Sequence, residues 1–412
     1  MRSRSGGRMR GRSAGPAGGH RAVAALAMMI AWGVTGGCGE AVPPPLMVAD
    51  ASATRPTLAL APDGGGAWVA WVSDGASSDV WVRHVAADGT ADPAPVRVND
   101  VPGDAAPHGQ APARVAAGPE GHVYVTWQNN QIVEGRAFPA SDLRFARSTD
   151  GGRTFEPAIF VNDDAGGPAA SHTFHDMVVG PDGTVIVSWI DGRRGLSDPD
   201  IRLAASRDGG ASFGSSVVVD AGACPCCRTA LAVGPEGTIY VAWRKHFPGD
   251  VRDVVVARST DGGRSFDEPV RVAADGWVFP GCPHAGPALT VAPDGTLHVG
   301  WYTGKEGGAG LFRATSVDGG LTFGAPDPLL EGDWVPPSQL SLAADAHGEV
   351  WVAWEDRRLE DPAFHLAPSS RSTEKTIPTA GVYPSVATAG ARVGVAWLEA
   401  GAVRLRMHES SP

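Results

Sequence analysis

Positive charge is what this chain is short of. Its 412 residues carry 34 Lys and Arg against 45 Asp and Glu, for a formal charge of −11. Six of those arginines (2, 4, 8, 10, 12 and 21) fall within residues 1–37, which hold no acid, so the remainder sits at −17. A surface that acidic excludes nucleic acid and anionic lipid as natural partners. Tyrosine is scarce too: it occurs only at 124, 240, 302 and 383, which restricts any tyrosine chemistry to four positions. Long apolar runs are lacking. The stretch from Ala22 to Val34 is shorter than the ~20 residues a membrane span needs. Helical periodicity is also missing throughout. What abounds is glycine (55), proline (34) and tryptophan (13), the composition of a large β protein with many tight turns.

The arginine-rich start, the short apolar run and Thr35-Gly36-Gly37-Cys38 read together as a secretory leader. The junction resembles the lipobox of bacterial lipoproteins, which implies that Cys38 is lipidated and opens the mature chain. Plain cleavage and an uncleaved anchor are the alternatives. On this reading residues 1–37 are the leader and 38–43 a short tether. Residues 44–412 then form a single exported domain, monomeric and held at a membrane only through its lipid, or else secreted.

Two elements repeat along that domain. The first is SxDGGxxF, at Ser148–Phe155, Ser206–Phe213, Ser259–Phe266 and Ser316–Phe323, with starts 58, 53 and 57 residues apart. A period of this length signals stacked supersecondary units. The second is a hairpin: an apolar strand, a Gly-bearing turn, and an alternating strand ending in Trp71, Trp127, Trp189, Trp243, Trp301, Trp354 or Trp397. Each hairpin is followed by two more short strands, so the pattern predicts an all-β fold, a β-propeller of four-stranded antiparallel blades. Leu46–Val48 looks like a fourth strand lacking its first three, and Trp397 with Val403–Arg406 looks like three strands lacking a fourth. Pairing strands from both termini would close seven blades and leave no open edge; six blades with a loose terminal hairpin is the alternative. Within SxDGGxxF, the Asp is expected to cap backbone N–H groups, the glycines to take positive φ, and the Phe to plug its own blade.

SxDGGxxF is the Asp box, or BNR repeat, and the domain resembles the sialidase-like propellers. The resemblance implies an arginine triad for a substrate carboxylate, a Tyr–Glu nucleophile and an Asp acid/base, the Tyr being unusual among glycosidases. The positions that answer to it are Arg55, Arg228, Asp79 and Tyr383. Arg55 stands in Thr54-Arg55-Pro56, one residue closer to the proline than in the family motif, a shift that would turn it away from the central pocket. No glutamate in the pattern is an evident partner for Tyr383. Asp boxes also occur in propellers that bind ligands or scaffold partners, so an exo-α-sialidase-type hydrolase is one reading among several.

Counting back from the repeat tryptophans gives a second candidate site. Nineteen residues before Trp127, Trp243 and Trp301 stand His108, Cys224 and Cys282; seventeen before Trp189, Trp243 and Trp301 stand His172, Cys226 and His284. Cys227 and His175 lie beside them. In a propeller, equal spacing ahead of the same strand brings side chains to one end of the central channel. Thiolate with imidazole suits Zn²⁺ or Cu(I). An even number of exported thiols also suits disulfides, such as Cys224–Cys282 and Cys226–Cys227, and a redox-active cluster is the third option. Arg193, Arg194, Arg357 and Arg358 follow repeat tryptophans on the same face and form a candidate clamp for an acidic glycan. The sequence therefore leaves three functions open. One is an extracytoplasmic ligand-binding or metal-handling module, with an acidic glycan or exported protein as partner. The others are a sialidase-type hydrolase and a disulfide-bridged surface scaffold.

Overall fold

The computed structural model describes residues 44–409 except 51, 359 and 372–377; the leader, Cys38 and the tether lie outside the described residues. Seven four-stranded antiparallel sheets are present among them, six in simple meander order. The fourth blade is typical: Ala230–Val233, Ile239–Phe247, Val251–Ser259 and Val270–Arg271 pair in succession. The seventh blade is closed by both ends of the chain. Leu46–Ala49 pairs with Ala402–Glu409, placing Leu46 opposite Leu405, beside the strands Val382–Ala389 and Arg392–Glu399. Seven blades, not six, form the ring.

The first strands of all blades stand around the axis: Thr57–Leu60, Arg114–Ala117, His172–Val179, Ala230–Val233, Ala288–Val291, Leu340–Ala344 and Val382–Ala389. The tryptophan-bearing second strands lie just outside them. All seven repeat tryptophans are buried, from 0% exposed at Trp189 and Trp243 to 4% at Trp71. Each fills the wedge between adjacent sheets, where a large aromatic buries the most apolar area.

The SxDGGxxF turns fold as expected locally. Ser148 Oγ donates to Asp150 Oδ1 at 2.7 Å and accepts from Gly152 N, while Asp150 Oδ1 accepts from Arg153 N and Thr154 N. The other copies repeat this, and every glycine pair has φ between 68° and 86°. The terminal Phe departs from expectation. Instead of plugging only its own blade, Phe213 meets Phe145 of the preceding blade edge-on at 5.0 Å. The first glycine carbonyl of each turn also accepts a donor from the preceding blade: Trp68, Arg147, Arg207 and Arg258 reach Gly151, Gly209, Gly262 and Gly319. The motif is a blade-to-blade staple.

Candidate functional site

The segments that enter the first strands form the mouth of the channel, opposite the SxDGGxxF face. In Cys224-Pro225-Cys226-Cys227, a turn sits at Pro225–Cys226, where proline presets φ for the second position. The turn brings its sulfurs together: Cys224 Sγ lies 3.6 Å from both Cys226 Sγ and Cys227 Sγ. The neighbouring blade contributes Cys282 and His284, whose ligand atoms lie within 4.8 Å of each other and of Cys226 Sγ. His284 takes φ 52°, a left-handed turn that is uncommon outside glycine and folds the segment back toward the channel. All four cysteines among the described residues are free. The three in the turn are buried, whereas Cys282 and His284 are exposed.

Charge at this cluster is uneven. Hydrogen bonding from Cys226 and Cys227, with Arg252 adding its positive charge, holds the Cys224 thiol far below its usual range. Arg252 Nη1 donates to that sulfur at 3.0 Å. Hydrogen bonding to Cys224 pushes Cys226 up, and burial does the same for Cys227. The three sulfurs therefore differ in direction: the surroundings favour the charged form at Cys224 and disfavour it at Cys226 and Cys227.

A second group adjoins the first. Arg55 and Arg228, each 3% exposed, both donate to one neutral atom, Gln339 Oε1. Arg114 lies near both. Burial, then the neighbouring guanidiniums, lowers Arg55 to about 10 and Arg228 well below its ordinary value. The carboxylates here are already engaged: Asp176 faces Arg114 at 3.1 Å, and Glu355 accepts from Arg357, Gln339 N and Tyr383 N. Arg55 and Arg357 each stand 5.5 Å from the Tyr383 ring centre. Below them opens a cavity of about 350 Å³, lined by first-strand residues of all seven blades. Gly286 makes room for this arrangement, since a Cβ there would come within 2.6 Å of Arg228 Cγ.

Several sequence expectations are redistributed. Arg55 faces the cavity despite its offset from Pro56. His108 stays at the mouth, its ring 6.4 Å from that of His284 and edge-on to Phe174. His172 does not join the thiols: it is buried between Asp164 and Asp191. In that blade the left-handed position belongs to Phe174, at φ 56°, and a bulge between Thr173 and Asp176 inserts one extra residue, so the count from Trp189 slips by one and the side chains ahead of the bulge change face. His175 is buried against the neighbouring blade, with Nε2 donating to Thr126 O at 3.2 Å. Asp79 braces a loop through Asn99 and Gly103. Arg193 is held by Asp163, Asp164 and Asp191, Arg194 by Asp200, and Arg358 by Asp356. Of the four clamp arginines, Arg357 alone reaches the central group.

Arg114, Gln339 and Glu355 were not singled out from the sequence. Gln339 stands fifteen residues before Trp354, the offset of Arg228 from Trp243, and that register was the available signal. Glu355 follows Trp354 directly, where a buried carboxylate is indistinguishable from an ordinary loop charge. Arg114 opens the first strand of its blade, thirteen residues before Trp127, nearer the tryptophan than the offsets of nineteen and seventeen.

This geometry defines the class: a seven-bladed β-propeller with a cysteine–histidine cluster and an arginine group at one channel mouth. No family model matches the chain, and no curated protein matches it in sequence. Among solved structures, the chain is similar to a PL25 polysaccharide lyase (ulvan lyase) at 12% identity and TM-score 0.57, over 89% of this chain and 96% of the other. It is also similar to a protein of unknown function from Dyadobacter fermentans, at 18% identity and TM-score 0.51, over 73% and 94%. The Hadza microbial sialidase Hz136 aligns at 15% identity and TM-score 0.49, over 82% and 76%. The first two likenesses agree with the propeller fold and extend no further.

Proposed function

We propose that the protein is an extracytoplasmic metal-binding module whose channel mouth holds a thiophilic ion, Zn²⁺ or Cu(I). One observation carries this reading: Cys224, Cys226, Cys227, Cys282 and His284, drawn from two adjacent blades, converge on a shared sulfur, Cys226 Sγ. Disulfide-forming cysteines have no need of an imidazole in the same contact shell. Thiolate and imidazole donors together favour soft, late first-row ions over Mg²⁺ or Ca²⁺. Export through a leader of residues 1–37 belongs to the same proposal, because free metal-binding thiols outside the cytoplasm persist best when metal-bound. The test is elemental analysis of protein purified from its export compartment, together with a free-thiol count. Bound copper or zinc at one equivalent or more supports the reading. Metal-free protein with all four cysteines oxidised sinks it and leaves the bridged scaffold.

A second reading, an acidic ligand such as a uronate- or sialate-bearing glycan, is favoured by a separate observation. Arg55 and Arg228 are buried against a neutral amide oxygen, and a buried guanidinium without a counter-ion is costly. A ligand carboxylate beside them would relieve that cost through charge-assisted hydrogen bonds. Thermal shift with glucuronate and sialate tests this: stabilisation lost in Arg228→Met supports it, and no shift with either acid removes it. Turnover of a sialoside that disappears in Tyr383→Phe would extend the reading to hydrolysis.

A further inference from the structure

The ligand-type side chains at the mouth form two triads that share one member. Cys224, Cys226 and Cys227 make the first, and Cys226, Cys282 and His284 the second. Within each triad all ligand atoms lie within 4.8 Å of one another, and among the described residues no group of four does. A tetrahedral Zn²⁺ site with Zn–S near ~2.3 Å needs four ligands mutually about 3.8 Å apart. A three-coordinate ion with bonds of similar length needs only three, spaced about 4 Å apart. The Cys224–Cys226 and Cys224–Cys227 separations of 3.6 Å are shorter than either spacing, so it is the grouping in threes, with no fourth ligand in reach of either triad among the described residues, that selects three-coordination.

From this we infer that the mouth binds two Cu(I) ions, bridged by the Cys226 thiolate. This deepens the metal-binding reading and rests on it. The inner ion takes three sulfurs, from Cys224, Cys226 and Cys227; the outer takes two sulfurs and an imidazole, from Cys226, Cys282 and His284. Soft thiolates in three-coordinate sets suit Cu(I), a d¹⁰ ion content with low coordination, above the harder divalent ions. Four thiolates outweigh two monocations by two charges, and Arg252, whose Nη1 already donates to Cys224 Sγ at 3.0 Å, offsets one of them. The two positions differ in access. The inner is walled by buried sulfurs, whereas both outer-only ligands, Cys282 and His284, are exposed. The outer ion is therefore the exchangeable one and the inner ion the retained one.

The experiment is anaerobic titration of the reduced, chelator-stripped full chain with Cu(I) against a bathocuproine-type competitor, with X-ray absorption at the copper edge. Wild type is expected to take two equivalents and to show a Cu···Cu scattering contribution. His284→Ala and Cys282→Ser change exposed side chains, and circular dichroism checks that each variant keeps the fold. Each should fall to one equivalent with all-sulfur coordination and no Cu···Cu signal. Cys226→Ser should lose the pair altogether. A plateau at one equivalent in wild type, or a single tight Zn²⁺ that Cu(I) does not displace, overturns the two-ion inference while leaving a metal module. No binding of either ion overturns the module itself.

Discussion

Gln339 joins the two groups at the mouth: its Nε2 donates to the backbone carbonyl of His284 at 2.8 Å while its Oε1 accepts from Arg55 and Arg228. Position 339 thus orients the segment that carries His284 and separates two buried guanidiniums with one amide. Gln339→Leu conserves bulk but removes both functions. It should lower unfolding stability by about 3 kcal/mol, the scale for leaving buried charged donors without an acceptor. Urea denaturation checks this. A loss below about 1 kcal/mol would mean that solvent already serves the two arginines.

The staple role of SxDGGxxF separates its two glycines. Gly151 and Gly152 have φ of 80° and 86°, so alanine at either is strained by about 1–2 kcal/mol. A Cβ on Gly151 meets nothing within 4 Å, whereas one on Gly152 would lie 2.9 Å from the Trp68 indole nitrogen of the preceding blade. Gly152→Ala should therefore cost at least about 1 kcal/mol more than Gly151→Ala, through overpacking. Equal denaturation midpoints for the two variants would show that Trp68 yields freely.

Much of this architecture was legible because a propeller repeats its constraints. Every blade needs one large aromatic at the same wedge, so Trp71 to Trp397 recur on schedule, and equal offsets from them point to one axis. Cys226, Cys282 and His284 obeyed that rule and meet. His172 did not, because the bulge before Asp176 and the left-handed Phe174 change strand parity without leaving any residue type that announces it. The loop arginines were misjudged for another reason: Arg193 and Arg358 sit two residues after the carboxylates they pair with, Asp191 and Asp356. Sequence shows those pairs side by side but not whether they close. Blade-to-blade contacts such as Phe213 on Phe145 span more than sixty residues, and local pattern carries no trace of them.

Acid should destabilise the ring through His175. Burial, then Arg114, lowers its pKa from 6.5 to about 3, against a smaller opposing effect of Thr126 O. The folded protein therefore holds His175 neutral, and below pH 6.5 the unfolded chain binds a proton that the native one refuses. The associated stability is intact above pH 6.5 and falls as pH drops from there toward 3, by about 1.4 kcal/mol per pH unit. His175→Gln keeps a donor for Thr126 O and removes the titration. Its stability relative to wild type should rise by about 1.4 kcal/mol per unit between pH 6 and pH 4.5. Parallel urea midpoints across that interval would mean that the ring is protonated in the native state.

The mouth should also divide its thiols kinetically. Cys282 is exposed, whereas Cys224, Cys226 and Cys227 are 0–4% exposed and can meet a reagent only when the segment opens. In reduced, metal-free protein a maleimide should modify one thiol at least about tenfold faster than the other three, since modification of the buried set waits on local opening. Peptide mapping should place that thiol at Cys282, and Cys282→Ser should abolish the fast phase. Loading with Cu(I) should then suppress the fast phase in wild type, because the outer ion draws on the Cys282 sulfur. A fast phase that persists at full copper occupancy would remove Cys282 from the ligand set and leave the inner three sulfurs as the whole site.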